Sequence, residues 1–99
     1  MGNDYFNDPE FRELIRQYLD FLQNALPEVK ANLEDKNYLE VQKFGHNMKG
    51  SGGGYGLDEF TDIGAQIERA AMIPDHVVLE GLLTSFEKKL EETVQEFKA

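Results

Sequence analysis

The sequence predicts an all-α fold, an antiparallel up-down bundle of four helices. Three observations carry this. Apolar residues recur at threes and fours along almost the whole chain. No run shows the sustained alternation of a strand. Prolines and capping residues break the pattern at short connections, and short connections between long amphipathic helices favour antiparallel neighbours.

The first helix opens at Asp8-Pro9, an N-cap followed by proline at the first helical position. Its apolar stripe is Phe11, Leu14, Ile15, Tyr18, Leu19, Leu22, Leu26, Val29 and Leu33. Pro27 either kinks one long helix or separates two shorter ones, and a kinked helix is preferred. Asn37, with Glu40 three residues on, reads as a capping box for the second helix. The core side of that helix is Val41, Phe44, Gly45, Met48 and Tyr55. Leu57-Asp58 opens the third, with Phe60, Ile63, Gly64, Ile67, Ala70 and Ala71 on one side. Met72-Ile73-Pro74 closes it, because the residue before proline resists helical geometry. Asp75 caps the fourth helix, whose inner face is Leu79, Leu82, Leu83, Phe86, Leu90, Val94 and Phe97.

At 99 residues the chain is one domain, residues 1–99. It has no cysteine, which excludes a disulfide framework, a thiol nucleophile and a thiolate metal site. No apolar run approaches the roughly 20 residues of a membrane span, and no signal-peptide pattern is present. The net charge of −9 disfavours nucleic acid and anionic membranes as partners. A soluble, cytoplasmic monomer is expected.

The stretch with chemistry is Gly45-His46-Asn47-Met48-Lys49-Gly50-Ser51-Gly52-Gly53-Gly54-Tyr55-Gly56. On a helical wheel His46 lies roughly 160° from Phe44 and Met48, so it is excluded from the core stripe. Its face is shared with Gln42, Lys43, Lys49, Gly50 and Gly53, within about 60°. Each helical glycine costs about 0.5–1 kcal/mol relative to alanine. Two explanations compete. The glycines end the helix or allow close helix packing, as Gly45 and Gly64 would. Alternatively, they remove side chains so that a partner can approach the imidazole, with Lys49 one turn away as a positive charge suited to a phosphoryl group.

Other motifs fail. Lys49-Gly50-Ser51 lacks the spacing of a P-loop, and no strand precedes the glycines. Lys43 and Ile73 stand where a di-iron bundle places glutamates before its histidines. Ser51 lies on a different helix face from His46, which argues against a Ser-His dyad. His76 follows a cap in a turn and reads as structural.

His46-Asn47-Met48-Lys49-Gly50-Ser51, with Gly56 ten residues after the histidine, resembles the H-x-x-K-G-S/T pattern of the histidine-containing phosphotransfer domain. The resemblance spans nearly the whole chain. It implies a four-helix up-down bundle with a short N-terminal lead-in helix near Pro9, and relay of phosphoryl groups between histidine and aspartate in two-component signalling. By position, His46 is the phosphoacceptor through Nε2, and Lys49 offsets the phosphoryl charge. Gly50 keeps the imidazole accessible, Ser51 supplies a small hydroxyl, and Gly56 lets the chain turn.

Several members of that family place a glutamine where Glu68 stands here. A carboxylate accepting from Nδ1–H would also fix the ring; the alternative is that Glu68 is plain surface or pairs with Lys49 or Arg69. The run Gly52-Gly53-Gly54 implies a flat docking area together with Gln42, Lys43 and Gly56, and Phe6, Phe11 or Ile15 would supply an apolar patch beside it.

The implied partners are response-regulator receiver domains and a sensor or hybrid histidine kinase. No cofactor is expected on this chain, since the receiver would supply Mg²⁺. Lacking a nucleotide motif, the chain reads as a phosphocarrier rather than an enzyme. The rival reading is a helical adaptor that binds receiver or kinase domains without accepting phosphate. A kinase-attached form is disfavoured by the chain's end at Ala99, unless it is an excised fragment.

Overall fold

The computed structural model describes residues 7–98, side chains of residues 7–97, and four α-helices lie among them. They are α1 (Pro9–Glu34), α2 (Tyr38–Gly52), α3 (Asp58–Met72) and α4 (His76–Lys98), with a single 3₁₀ turn at Gly53–Tyr55. No described residue is in a strand.

Pro9 is the first residue of α1 itself, and the Asp8 carboxylate accepts from Glu10 N–H at 3.0 Å. A lead-in helix ahead of it falls outside the described residues, as does Phe6. Helix α1 runs unbroken through Pro27, which is exposed. Its end uses no glycine. Lys36 takes the left-handed conformation (φ 60°), and Asn37 N–H reaches back to the Asn32 carbonyl at 2.8 Å, closing the last turn. The expected capping box is not made. Asn37 makes no side-chain cap bond and turns its amide to Asn32, while Glu40 pairs with Lys43. Asp75 does cap α4, accepting from Val78 N–H at 3.1 Å.

The core is the expected one with few exceptions. Ile15, Leu22, Val41, Met48, Phe60, Ile67, Leu79 and Phe86 are essentially sealed from solvent. Phe86 meets the edges or faces of Phe44 and Phe60 at 5.6 and 5.9 Å between ring centres, joining α2, α3 and α4. Leu14 is half exposed rather than part of the stripe, and Phe11, Phe44, Tyr55, Ile63 and Leu82 only pack against the margin of the core. Ile15 is fully buried, so it cannot contribute to a surface patch.

Cross-helix contacts give the relative placement. Arg16 donates to the Phe97 carbonyl, and Lys30 pairs with Glu87, so the start of α1 lies by the end of α4. Lys89 pairs with Glu59 at the start of α3. His76 Nδ1 lies 2.7 Å from the Tyr38 hydroxyl, tying the first turn of α4 to that of α2. No helix among the described residues is long and apolar enough to cross a membrane.

Candidate functional site

Helices α2 and α3 approach unusually closely, and glycine is the reason. A Cβ on Gly45 would sit 2.6 Å from Glu68 N, one on Gly64 2.5 Å from Lys49 N, and one on Gly52 2.8 Å from Thr61 N. All three encounters are with main chain, so no rotamer change relieves them. Gly52 is therefore buried packing and not docking surface, contrary to the expectation from the glycine run. Gly56 has φ 73°, a left-handed turn that suits glycine, and hands the chain to α3. Gly50 and Gly54 differ from all of these. A Cβ on either meets nothing within 4 Å, and neither has a positive φ. Gly53 is also exposed and would make only ordinary contact with Thr61.

The close approach sets Glu68 against the exposed edge of α2. His46 is 65% exposed, and its Nδ1 lies 2.9 Å from Glu68 Oε2. Lys49 Nζ lies 2.8 Å from Glu68 Oε1. One carboxylate thus contacts both His46 and Lys49, one on each oxygen, and its side chain is only 16% exposed. The bond from Lys49, then that from His46, hold the Glu68 carboxyl below the usual carboxylate range against a smaller opposing effect of burial. An ionised Glu68 can only accept, so Nδ1 carries the proton. In the neutral ring, Nε2 then holds the free lone pair, and it has no partner among the described residues.

Of the other residues singled out by sequence, Lys43 is exposed beside Glu40 at 3.4 Å, and Gln42 is half-buried next to the histidine face. Ser51 is turned toward α1. Its hydroxyl donates to the Asn47 carbonyl (2.8 Å) and accepts from the Tyr18 hydroxyl (2.7 Å). Tyr18 stacks on Tyr55 at 4.4 Å, and burial pushes its phenol upward. Sequence reasoning missed this Tyr18–Ser51 brace. Tyr18 sits on the core stripe and gives no sign in the sequence that its hydroxyl reaches α2.

The arrangement offers an exposed imidazole, a fixed tautomer, a neighbouring ammonium and a surface bare of side chains beyond Gly50. A family model described as the Hpt domain matches residues 13–99. No curated protein and no solved structure matches the chain significantly.

Proposed function

The chain belongs to the Hpt domain family, and from that premise we propose that it carries a phosphoryl group on His46 to and from the aspartates of receiver domains. Membership implies histidine phosphotransfer in phosphorelays, with receiver domains and histidine kinases as partners. The observation that carries the assignment to His46 is the Glu68 carboxylate on Nδ1, which in the neutral ring leaves the lone pair on Nε2 of an exposed side chain.

The step balances simply. The Nε2 lone pair attacks the phosphorus of an aspartyl phosphate. The P–O bond to the receiver's carboxylate breaks in line, and the carboxylate leaves with the electron pair. The Nδ1 proton stays in place, and the positive charge that develops on the ring is offset by Glu68. Lys49, one turn away and held on Glu68, offsets the phosphoryl charge in this reading. The reverse step returns the group to an aspartate. Such transfer needs mostly positioning and charge stabilisation, and the receiver supplies the Mg²⁺, so the chain acts as a carrier and not as an ATP-using catalyst. The order of the contacts between α1 and α4 and between α2 and α3 supports an antiparallel up-down bundle. The working form is a cytoplasmic monomer serving a sensor or hybrid kinase. Gln42, Lys43, Gly53, Gly54 and Gly56 border the receiver's approach.

Incubation with ATP and a promiscuous hybrid kinase that carries a receiver tests the reading. Acid-labile, base-stable label is expected on the wild type and not on His46→Gln. Undiminished label on the variant overturns it. A His46→Gln variant that keeps full signalling in a cell lacking the wild type would indicate an adaptor instead.

A further inference from the structure

The charge on Glu68 matters differently before and after transfer. In the resting ring its Oε2 accepts from Nδ1–H at 2.9 Å. An amide oxygen in the same place would do that job as well, because the resting ring is neutral. After transfer the ring has changed. Nε2 carries the phosphoryl group, Nδ1 keeps its proton, and the ring is a cation. A cationic imidazole ordinarily gives up that proton at about pH 6.5. A carboxylate in hydrogen-bond contact opposes the loss, and a neutral amide does not.

The charged groups around the ring decide the sign. From α3, Glu68 touches Nδ1, and Arg69 next to it in sequence is exposed. From α2, Lys49 Nζ lies 2.8 Å from the other Glu68 oxygen, and Lys43, one turn before His46, pairs with Glu40 at 3.4 Å. From α1, Glu28 lines the groove that Lys43 also lines. Lys49 works against retention of the proton, but the carboxylate stands between it and the ring, so the nearer charge prevails. The phosphoryl group on Nε2 is itself negative and favours the proton too.

We infer that Glu68 is a positioning residue for the return step: it keeps Nδ1 of phosphorylated His46 protonated above neutral pH, so that the ring departs as neutral imidazole. This rests on the reading of His46 as phosphoacceptor. In the return step an aspartate oxygen of the receiver attacks phosphorus. The P–N bond breaks and its electron pair returns to Nε2. With Nδ1 protonated, the leaving group is neutral and no proton has to move. Without that proton it is an imidazolate anion, a far stronger base and a poor leaving group. A carboxylate at position 68 therefore makes His46 a ready donor through the mildly alkaline range, and an amide there does not.

Wild type and Glu68→Gln are labelled with phosphoramidate, a small phosphodonor, and their helix content is compared by circular dichroism. Nitrogen NMR then follows the Nδ1 proton of phosphorylated His46 against pH, with free Nε2-phosphohistidine as the reference. The wild-type midpoint should lie about one unit or more above that of the free amino acid and above that of the variant. Loss of label to one receiver is the second readout, taken as the wild-type-to-variant rate ratio at each pH so that the receiver's own titration cancels. That ratio should rise about tenfold between about pH 6 and pH 9. A wild-type midpoint no higher than that of free phosphohistidine overturns the inference whether or not the variant folds, and so does a flat ratio; both leave His46 as acceptor. Failure of the wild type to take label on His46 overturns the acceptor reading and this inference with it.

Discussion

Substituting alanine at Gly64 and at Gly50 should change stability in opposite directions, although both glycines are helical. At Gly64 the new Cβ would lie 2.5 Å from Lys49 N, 2.7 Å from the Gly45 carbonyl oxygen and 3.0 Å from Lys49 Cα. The nearest of these is about 1 Å short of a comfortable contact. Because every neighbour is backbone, α2 and α3 must separate. Overpacking costs about 1–3 kcal/mol, and a rigid main-chain clash belongs at the upper end. The gain in helix propensity returns about 0.5–1 kcal/mol, leaving a net loss of about 2 kcal/mol. At Gly50 the Cβ meets nothing, so only the propensity gain remains. That should raise Tm by about 2–8 °C. Urea and thermal unfolding followed by far-ultraviolet circular dichroism read both changes. The site adds a second readout. A separation of about 1 Å would stretch the 2.9 Å His46–Glu68 bond beyond hydrogen-bonding range, so Gly64→Ala should also lose the fixed tautomer. A Gly64→Ala protein as stable as wild type, or a destabilised Gly50→Ala, would refute the division of the glycines into packing and open positions. Gly50→Leu completes the series. It should keep helix content yet slow transfer from a receiver about tenfold or more, since small displacements of the reacting atoms are costly.

Glu68→Gln should retain much of the transfer rate, because an amide oxygen still accepts from Nδ1–H, whereas Glu68→Ala should lose about tenfold; nitrogen NMR of the His46 ring would show Nδ1 protonated in the wild type and a mixed tautomer in the alanine variant. Glu68 also sets an acid limb of stability. Its folded pKa lies below its ordinary value of 4.5, first through Lys49 and then through His46, so its contribution is present above about pH 4.5 and is lost as pH falls through the folded value. Urea titrations across that range should show a shallower acid loss for Glu68→Gln than for wild type. Ser51→Ala strands the Tyr18 hydroxyl, which is part-buried and donates to Ser51, and should cost about 1–2 kcal/mol, while phosphoramidate still labels His46.

The helices were legible because their burial follows a simple period. Ile15, Leu19, Leu22, Leu26, Val29 and Leu33 could be read as one buried stripe, and they are one. What escaped the period was set by tertiary partners or by backbone conformation. Leu14 fits the spacing but faces solvent. Lys36 closes α1 in a conformation that usually signals itself by glycine. Asn37 and Glu40 match a capping box in sequence, yet each side chain found another partner. At the site, the wheel placed His46 outside the core from spacing alone. Glu68 was reachable only through the family's spacing, since a bond across two helices leaves no local trace. The Tyr18–Ser51 bond leaves none either.

The glycines around His46 therefore have three separate causes, which composition alone had merged. Gly45, Gly52 and Gly64 are required by the close approach of α2 to α3, and Gly56 by a left-handed turn. Gly50 and Gly54 satisfy neither need. Alanine would fit at both without contact or strain, and at Gly50 it would strengthen the helix by about 0.5–1 kcal/mol. A small domain has few kilocalories of net stability, so an unforced loss of that size in mid-helix calls for a reason outside the fold. The position of Gly50 supplies one. It lies one turn beyond His46 on the same face, and on the proposed reading a side chain there would stand between the ring and a docking receiver. The close packing at Gly45 and Gly64 serves the same atom from the other side, because it brings Glu68 near enough to hold Nδ1. If His46 is the acceptor, tight packing behind the ring and bare backbone in front of it are two halves of one requirement: a histidine fixed in tautomer and open to a macromolecular donor.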